Sequence, residues 1–133
     1  MLIPFFLQYI YNEESSSFLS SASLTVFIGI LLVLTNLEEN RKLNLQQAFV
    51  LTTLSWLSIA IFGCIPFLLS NIELSFVDAF FESMSGITTT GSTIITNLDT
   101  TPKSILIWRS ILQWLGGIGV IVMAITILPL LNV

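Results

Sequence analysis

Three stretches of this chain run for the depth of a bilayer without a charge, and nothing else in it limits the possible folds so strongly. No charged residue lies between Phe18 and Thr35, between Leu43 and Ile72, or anywhere after Arg109. A helix crossing a hydrocarbon core of about 30 Å needs roughly 20 apolar residues at about 1.5 Å each. The spacing therefore predicts membrane-spanning helices over Phe18 to Asn36, Leu45 to Leu69 and Ile105 to Leu131. Composition closes off the competing reading, in which these are buried helices of a large soluble protein. Only 9% of the 133 residues are charged and 54% are hydrophobic, against about 25% charged in an ordinary soluble domain. Too little polar sequence exists to cover such helices, so the fold class is an all-α membrane protein.

The same inventory removes whole classes of function. A net charge of -4 argues against nucleic acid as a partner. With no His and a single Cys, Cys64, the usual zinc, haem and thiol chemistries have no ligand set, and no cofactor is expected. A membrane-embedded enzyme would also need a nucleophile–base pair, and none is visible. Cys64 reads as a small buried apolar residue. Met1 to Tyr11 is apolar but too short to span; it lacks a basic leader region and Pro4 interrupts it, so it reads as the last turns of a helix rather than a secretory signal. The last span stops at Leu131-Asn132-Val133 without a charged flank, which suggests a piece of a longer polypeptide. Arg41 and Lys42, beside Glu38 and Glu39, place the loop between the first two spans in the cytoplasm, while Lys103 and Arg109 near the opposite surface oppose that vote. Trp108 suits an interfacial belt, and Trp56, in mid-span, suits packing between helices.

The segment from Asn71 to Ser104 is neither an ordinary loop nor a span. In Leu74 to Gly86, Phe76, Phe80 and Met84 recur at helical spacing, and Ser75 followed by Asp78 resembles a capping box, which predicts a half-helix over Ser75 to Ser85 ended by Gly86. About 12 helical residues span about 18 Å, some half of a bilayer. The following Ile87-Thr88-Thr89-Thr90-Gly91-Ser92-Thr93-Ile94 is β-branched with one permissive glycine, so an extended return is expected. Five or six extended residues cover about 17 to 20 Å, which matches the descent.

A half-helix going in and an extended limb coming back make a re-entrant pore loop, over residues 75–96. Such backbone is tolerated at membrane depth only when buried in protein or lining water. Its carbonyls can replace the hydration shell of a monovalent cation, and the negative end of the half-helix points the same way. No carboxylate ring interrupts the run, so K+ or Na+ suits it better than Ca2+. A plain polar surface turn on a membrane scaffold or assembly subunit is the alternative. Asp78 belongs at the wet surface. Glu82 lies deeper, where an unpaired charge is costly, and Arg109 is its candidate partner. Gly116, Gly117 and Gly119 allow either close helix packing or a hinge, and Gly63 with Pro66 marks a bend or early end of the second span.

Several runs together resemble the Trk-type potassium uptake proteins, the TrkH side of the Trk/Ktr/HKT superfamily. They are Phe76-Val77-Asp78-Ala79-Phe80-Phe81-Glu82-Ser83-Met84-Ser85-Gly86, Thr88-Thr89-Thr90-Gly91, Trp108-Arg109, Gln113-Trp114-Leu115-Gly116-Gly117-Ile118-Gly119 and Ile127-Leu128-Pro129-Leu130-Leu131. The resemblance implies four span–pore loop–span repeats around one pore in a bacterial inner membrane. Homodimers and a cytosolic nucleotide-binding regulator of the TrkA kind are implied as well. It matches residues 45–133 to the first repeat and residues 1–44 to the preceding helices. By that match Thr89, Thr90 and Gly91 supply filter carbonyls for K+, Thr88 and Ser92 border them, and glycine at 91, where related plant transporters with Na+ preference carry serine, points to K+. One loop of four cannot close a filter alone.

Overall fold

The computed structural model describes residues 1–13, 16–35 and 44–127. Among them every regular element is helical: α1 (Leu2–Ile10), α2 (Ser17–Thr35), α3 (Leu45–Leu68), α4 (Phe76–Ile87), a single 3-10 turn (Leu98–Thr100) and α5 (Lys103–Ile127). Three of these helices are long and apolar enough to cross a membrane, over Ser17–Thr35, Gln46–Leu68 and Lys103–Ile125. The expected ends at Asn36 and Leu131, and the charged loop with Glu38, Glu39, Arg41 and Lys42, lie outside the described residues.

Helix α4 is wedged between α3 and α5, α2 packs on α3, and α1 packs on α5. The core joins Phe18 of α2, Cys64 and Phe67 of α3, Ala79 of α4, Ile95 of the return limb, and Ile105, Trp108 and Leu112 of α5. Trp108 ties the three long helices together at one level. Its indole N–H donates to the Gly63 carbonyl at 2.9 Å, and its ring meets Phe18 edge-on at 6.0 Å. This corrects the expectation of an interfacial belt residue: only 5% of Trp108 is exposed, and a buried indole needs the acceptor that Gly63 supplies. Trp56 lies against α5, its ring 3.5 Å from where a Cβ on Gly119 would stand.

Two helix-end expectations also need correction. Pro66 does not end α3, which runs on to Leu68 and closes with the Leu69 amide on the Ile65 carbonyl. A proline two residues before the last residue of the helix removes one ladder bond and leaves the last turn intact. Gly86 does not end α4 either, because the helix continues through Ile87. Gly86 is where α5 presses on α4: a Cβ there would be 3.0 Å from the Leu112 Cβ. The glycine run of α5 stays helical throughout. A Cβ on Gly116 would lie 1.9 Å from the Ile87 carbonyl oxygen, so no other residue fits that crossing without displacing a backbone.

These contacts fix how α4 runs. It starts beside the end of α3 and finishes against the middle of α5, and the chain then returns to the first turn of α5.

Candidate functional site

The site is built from the last two turns of α4, the residues after it, and one face of α5. Helix α4 begins where the sequence placed its cap: the Ser75 hydroxyl accepts the Asp78 amide at 3.2 Å. The reciprocal half of the box differs from expectation. Asp78 is too short to reach the Ser75 amide as a Glu would, and its carboxylate takes the Ser75 hydroxyl at 2.7 Å instead. A carboxylate in the first turn also suits the helix dipole.

One turn further in, Glu82 is 1% exposed and makes three bonds. Its Oε2 meets Arg109 Nε at 2.8 Å. Its Oε1 accepts the Thr93 hydroxyl at 2.5 Å and the Ile94 amide at 2.7 Å. A buried carboxylate needs such partners, because desolvation is otherwise uncompensated. A single side chain thus joins the half-helix, the returning limb and α5. Thr93 was not marked by the sequence reading, and its hydroxyl also accepts the Ile95 amide at 3.0 Å.

The end of α4 is a Schellman cap. The Thr89 amide donates to the Gly86 carbonyl at 2.9 Å and the Thr90 amide to the Ser85 carbonyl at 3.0 Å. The residue between helix and return, Thr89, has φ +59°, where a β-branched residue is rare. Thr88 and Thr89 therefore form the cap, and the extended limb begins at Thr90, not at Ile87 as the β-branched run suggested. Gly91 follows with φ +76°, and its amide also reaches the Ser85 carbonyl, at 3.2 Å.

This cap orients the peptide groups. Each peptide is trans and planar, so an amide N–H aimed at α4 turns the preceding carbonyl the opposite way. The N–H groups of Thr89, Thr90 and Gly91 all point back at the helix end, and so the carbonyls of Thr88, Thr89 and Thr90 face away from it. Among the described residues no donor reaches those three oxygens or the Gly91 carbonyl. Ser92 differs, since its carbonyl accepts the Ser85 hydroxyl at 2.7 Å and is turned inward. Thr88 and Thr90 exchange a hydroxyl contact at 2.9 Å. An open cleft of about 230 Å³ lies beside the cap, lined by Phe81, Met84, Ser85, Thr88, Thr90 and Ser92.

Helix α5 supplies the backing. Arg109, Gln113 and Gly116 are spaced four and three apart, so they share one face. They meet Glu82, Gly91 and Ile87 respectively, with the Gln113 amide nitrogen 3.4 Å from where a Cβ on Gly91 would stand. Gln113 and Ser85 were missed as site residues. The stripe at 109, 113 and 116 was the available signal for Gln113. Ser85 gave none, because its role follows from a cap at a threonine.

Comparison with known proteins adds an independent line. A family model described as a cation transport protein, TrkH, matches residues 14–133. The Trk system potassium uptake protein TrkH of Escherichia coli (strain K12) is 39% identical over 135 residues, covering 100% of this chain and 28% of that protein. The Trk system potassium uptake protein TrkI of Halomonas elongata is 54% identical over 87 residues, 65% of this chain and 18% of that protein. An uncharacterised cation transporter of Methanocaldococcus jannaschii is 41% identical over 128 residues, 96% of this chain and 27% of that protein. This chain thus spans little more than a quarter of the length of the curated relatives it matches over its whole extent.

Proposed function

Because this chain belongs to the TrkH family of cation transport proteins, we propose that it forms one span–pore loop–span unit of a potassium uptake pathway. In this reading residues 45–133 are the pore unit, residues 1–44 are the preceding membrane helices, and Thr89, Thr90 and Gly91, bordered by Thr88 and Ser92, form one wall of a selectivity filter. The relatives named as potassium uptake proteins support K+ as the transported ion.

The observation that carries the reading is the orientation of the peptides after α4. Amides tied to the helix end and carbonyls turned away from it are what a carbonyl-lined filter requires. A dehydrating cation loses water oxygens and gains the oxygens of Thr88, Thr89 and Thr90, with the Gly91 carbonyl next along the limb. The C-terminal dipole end of α4 adds a favourable field without a fixed charge. The limb must not collapse onto the ion or drift from it, and Glu82 holds it through Thr93 and Ile94. No covalent chemistry is involved.

One unit gives one wall, so the pathway needs further loops, from the remaining repeats of the same polypeptide. A plasma-membrane location with the start of α3 on the cytoplasmic side, homodimeric assembly and a cytosolic TrkA-type nucleotide-binding regulator belong to the same proposal. The test is Gly91→Ser in the assembled transporter. Serine at φ +76° shifts the limb and the adjacent carbonyls, and K+/Na+ discrimination falls. A membrane scaffold with a Thr-rich surface turn would show unchanged discrimination, and that result would sink the pore reading.

A further inference from the structure

Helix α5 lacks an N-terminal cap of its own, and a residue ninety positions away supplies one. The Pro102 carbonyl accepts the amides of Ile105 and Leu106 at 3.1 and 3.2 Å, which makes Pro102 the N-cap residue. A proline ring has no side-chain oxygen to offer the orphan amides of the first turn. Glu13, in the connection between α1 and α2, fills that gap. Its Oε1 accepts the Lys103 amide at 2.8 Å, and its Oε2 accepts the hydroxyl of the fully buried Ser104. The Lys103 ammonium folds back over the Tyr11 ring, 4.5 Å from its centre, on the same connection. Helix α1 packs along α5. The carboxylate also lies where the helix dipole favours negative charge.

The consequence reaches the filter wall through α5. Arg109 is six residues beyond Lys103 on the same helix, and it holds Glu82, which holds Thr93 and Ile94. The returning limb is therefore tied at two places: by Glu82 near its start, and by Glu13 where it runs into α5. We propose that Glu13 is a positioning residue for the filter. The two N-terminal helices clamp the pore unit through the first turn of α5, so that ion discrimination depends on a carboxylate outside the pore unit. This rests on the pore reading above.

The experiment measures K+ uptake and the K+/Na+ ratio of the assembled transporter in membranes for Glu13→Ala, Glu13→Gln, Ser104→Ala and Gly91→Ser. Glu13→Ala removes both acceptors and is expected to lower the ratio several-fold. Glu13→Gln keeps an oxygen for the Lys103 amide but not the charge, so it falls between Glu13→Ala and the unaltered protein. Ser104→Ala loses one of the two bonds and shows a smaller drop. The ratio belongs to each molecule and does not depend on how much protein reaches the membrane. Less protein with an unchanged ratio would mean a stability role only, and would overturn the proposal. If Glu13→Ala fails to insert, Glu13→Gln and Ser104→Ala decide the matter on the same readout. If Gly91→Ser lowers the ratio while none of the other three does, the clamp is wrong and the pore reading survives. If Gly91→Ser leaves the ratio unchanged, the pore reading itself fails.

Discussion

Thr89 holds a left-handed conformation at φ +59°, in the cap position that glycine ordinarily takes. For a β-branched residue this costs on the order of 1 to 2 kcal/mol, and strain of that kind persists where the surroundings hold it in place. Here four amide bonds to Met84, Ser85 and Gly86 do so. Thr89→Gly is therefore expected to stabilise the folded chain by about 1 kcal/mol, read as a higher melting temperature in detergent. It also frees the peptide that carries the Thr89 carbonyl, so K+/Na+ discrimination should fall as stability rises. Glu82 behaves in the opposite sense. Glu82→Ala strands the Arg109 guanidinium, the Thr93 hydroxyl and the Ile94 amide together. Breaking a buried pair from one side costs about 3 to 5 kcal/mol, so membrane accumulation should drop sharply. Exchanging the charges, Glu82→Arg with Arg109→Glu, restores a pair but puts no carboxylate under Thr93 and Ile94. Accumulation should recover while discrimination does not, and recovery of both would show that the pair alone matters.

The contact between α4 and α5 depends on Gly116. Its missing side chain admits the Ile87 carbonyl, so Gly116→Ala must push the end of α4 outward. Overpacking of this kind costs about 1 to 3 kcal/mol. The same change at Gly117, where a Cβ would meet nothing within 4 Å, should leave accumulation unchanged, and equal damage at both positions would mean that another part of the assembly covers Gly117. The three spans were legible because their signal is length without charge, which needs no tertiary context. The start of α4 was legible from Ser75 and Asp78, a local pattern. Its end was not, because glycine signals both a helix stop and a close approach, and only the position of Leu112 on a distant helix selects the second at Gly86. The direction of Trp108 was hidden for a related reason: an indole suits a lipid headgroup layer or a buried carbonyl equally well, and the Gly63 carbonyl lies 45 positions away in sequence. Thr88 and Thr89 read as extended because β-branching disfavours helix, yet the Schellman bonds outweighed that propensity. The residues proposed for the filter could thus be named from sequence, while the direction of their carbonyls came only from the hydrogen bonds of the cap.

Across the whole molecule, several contacts put the start of α2, the end of α3 and the start of α5 at one level. They are Phe18 on Trp108, Trp108 on Gly63, and Glu13 on Lys103. Trp56, halfway along α3, meets Gly119, two thirds of the way along α5, whereas Gly63 further along α3 meets Trp108 near the start of α5, so these two helices run antiparallel. Under the proposed pore reading, the loop enters and leaves on the side where α5 begins, and the start of α3 faces the other way. Single-cysteine labelling with an impermeant reagent, in a Cys64→Ala background, reads this directly. Asn97→Cys should react from outside and Gln47→Cys only from the cytoplasm. Thr90→Cys should react from outside as well, and more slowly as external K+ is raised, because an ion held by the adjacent carbonyls shields that position. Na+ at equal concentration should protect less. The protection needs carbonyls from several loops around one ion, so it should vanish when the chain is studied apart from the rest of the assembly, while the Asn97 and Gln47 pattern persists. Labelling of Thr90→Cys that is fast and indifferent to K+ in the intact assembly would place this run in bulk water and leave the chain a scaffold.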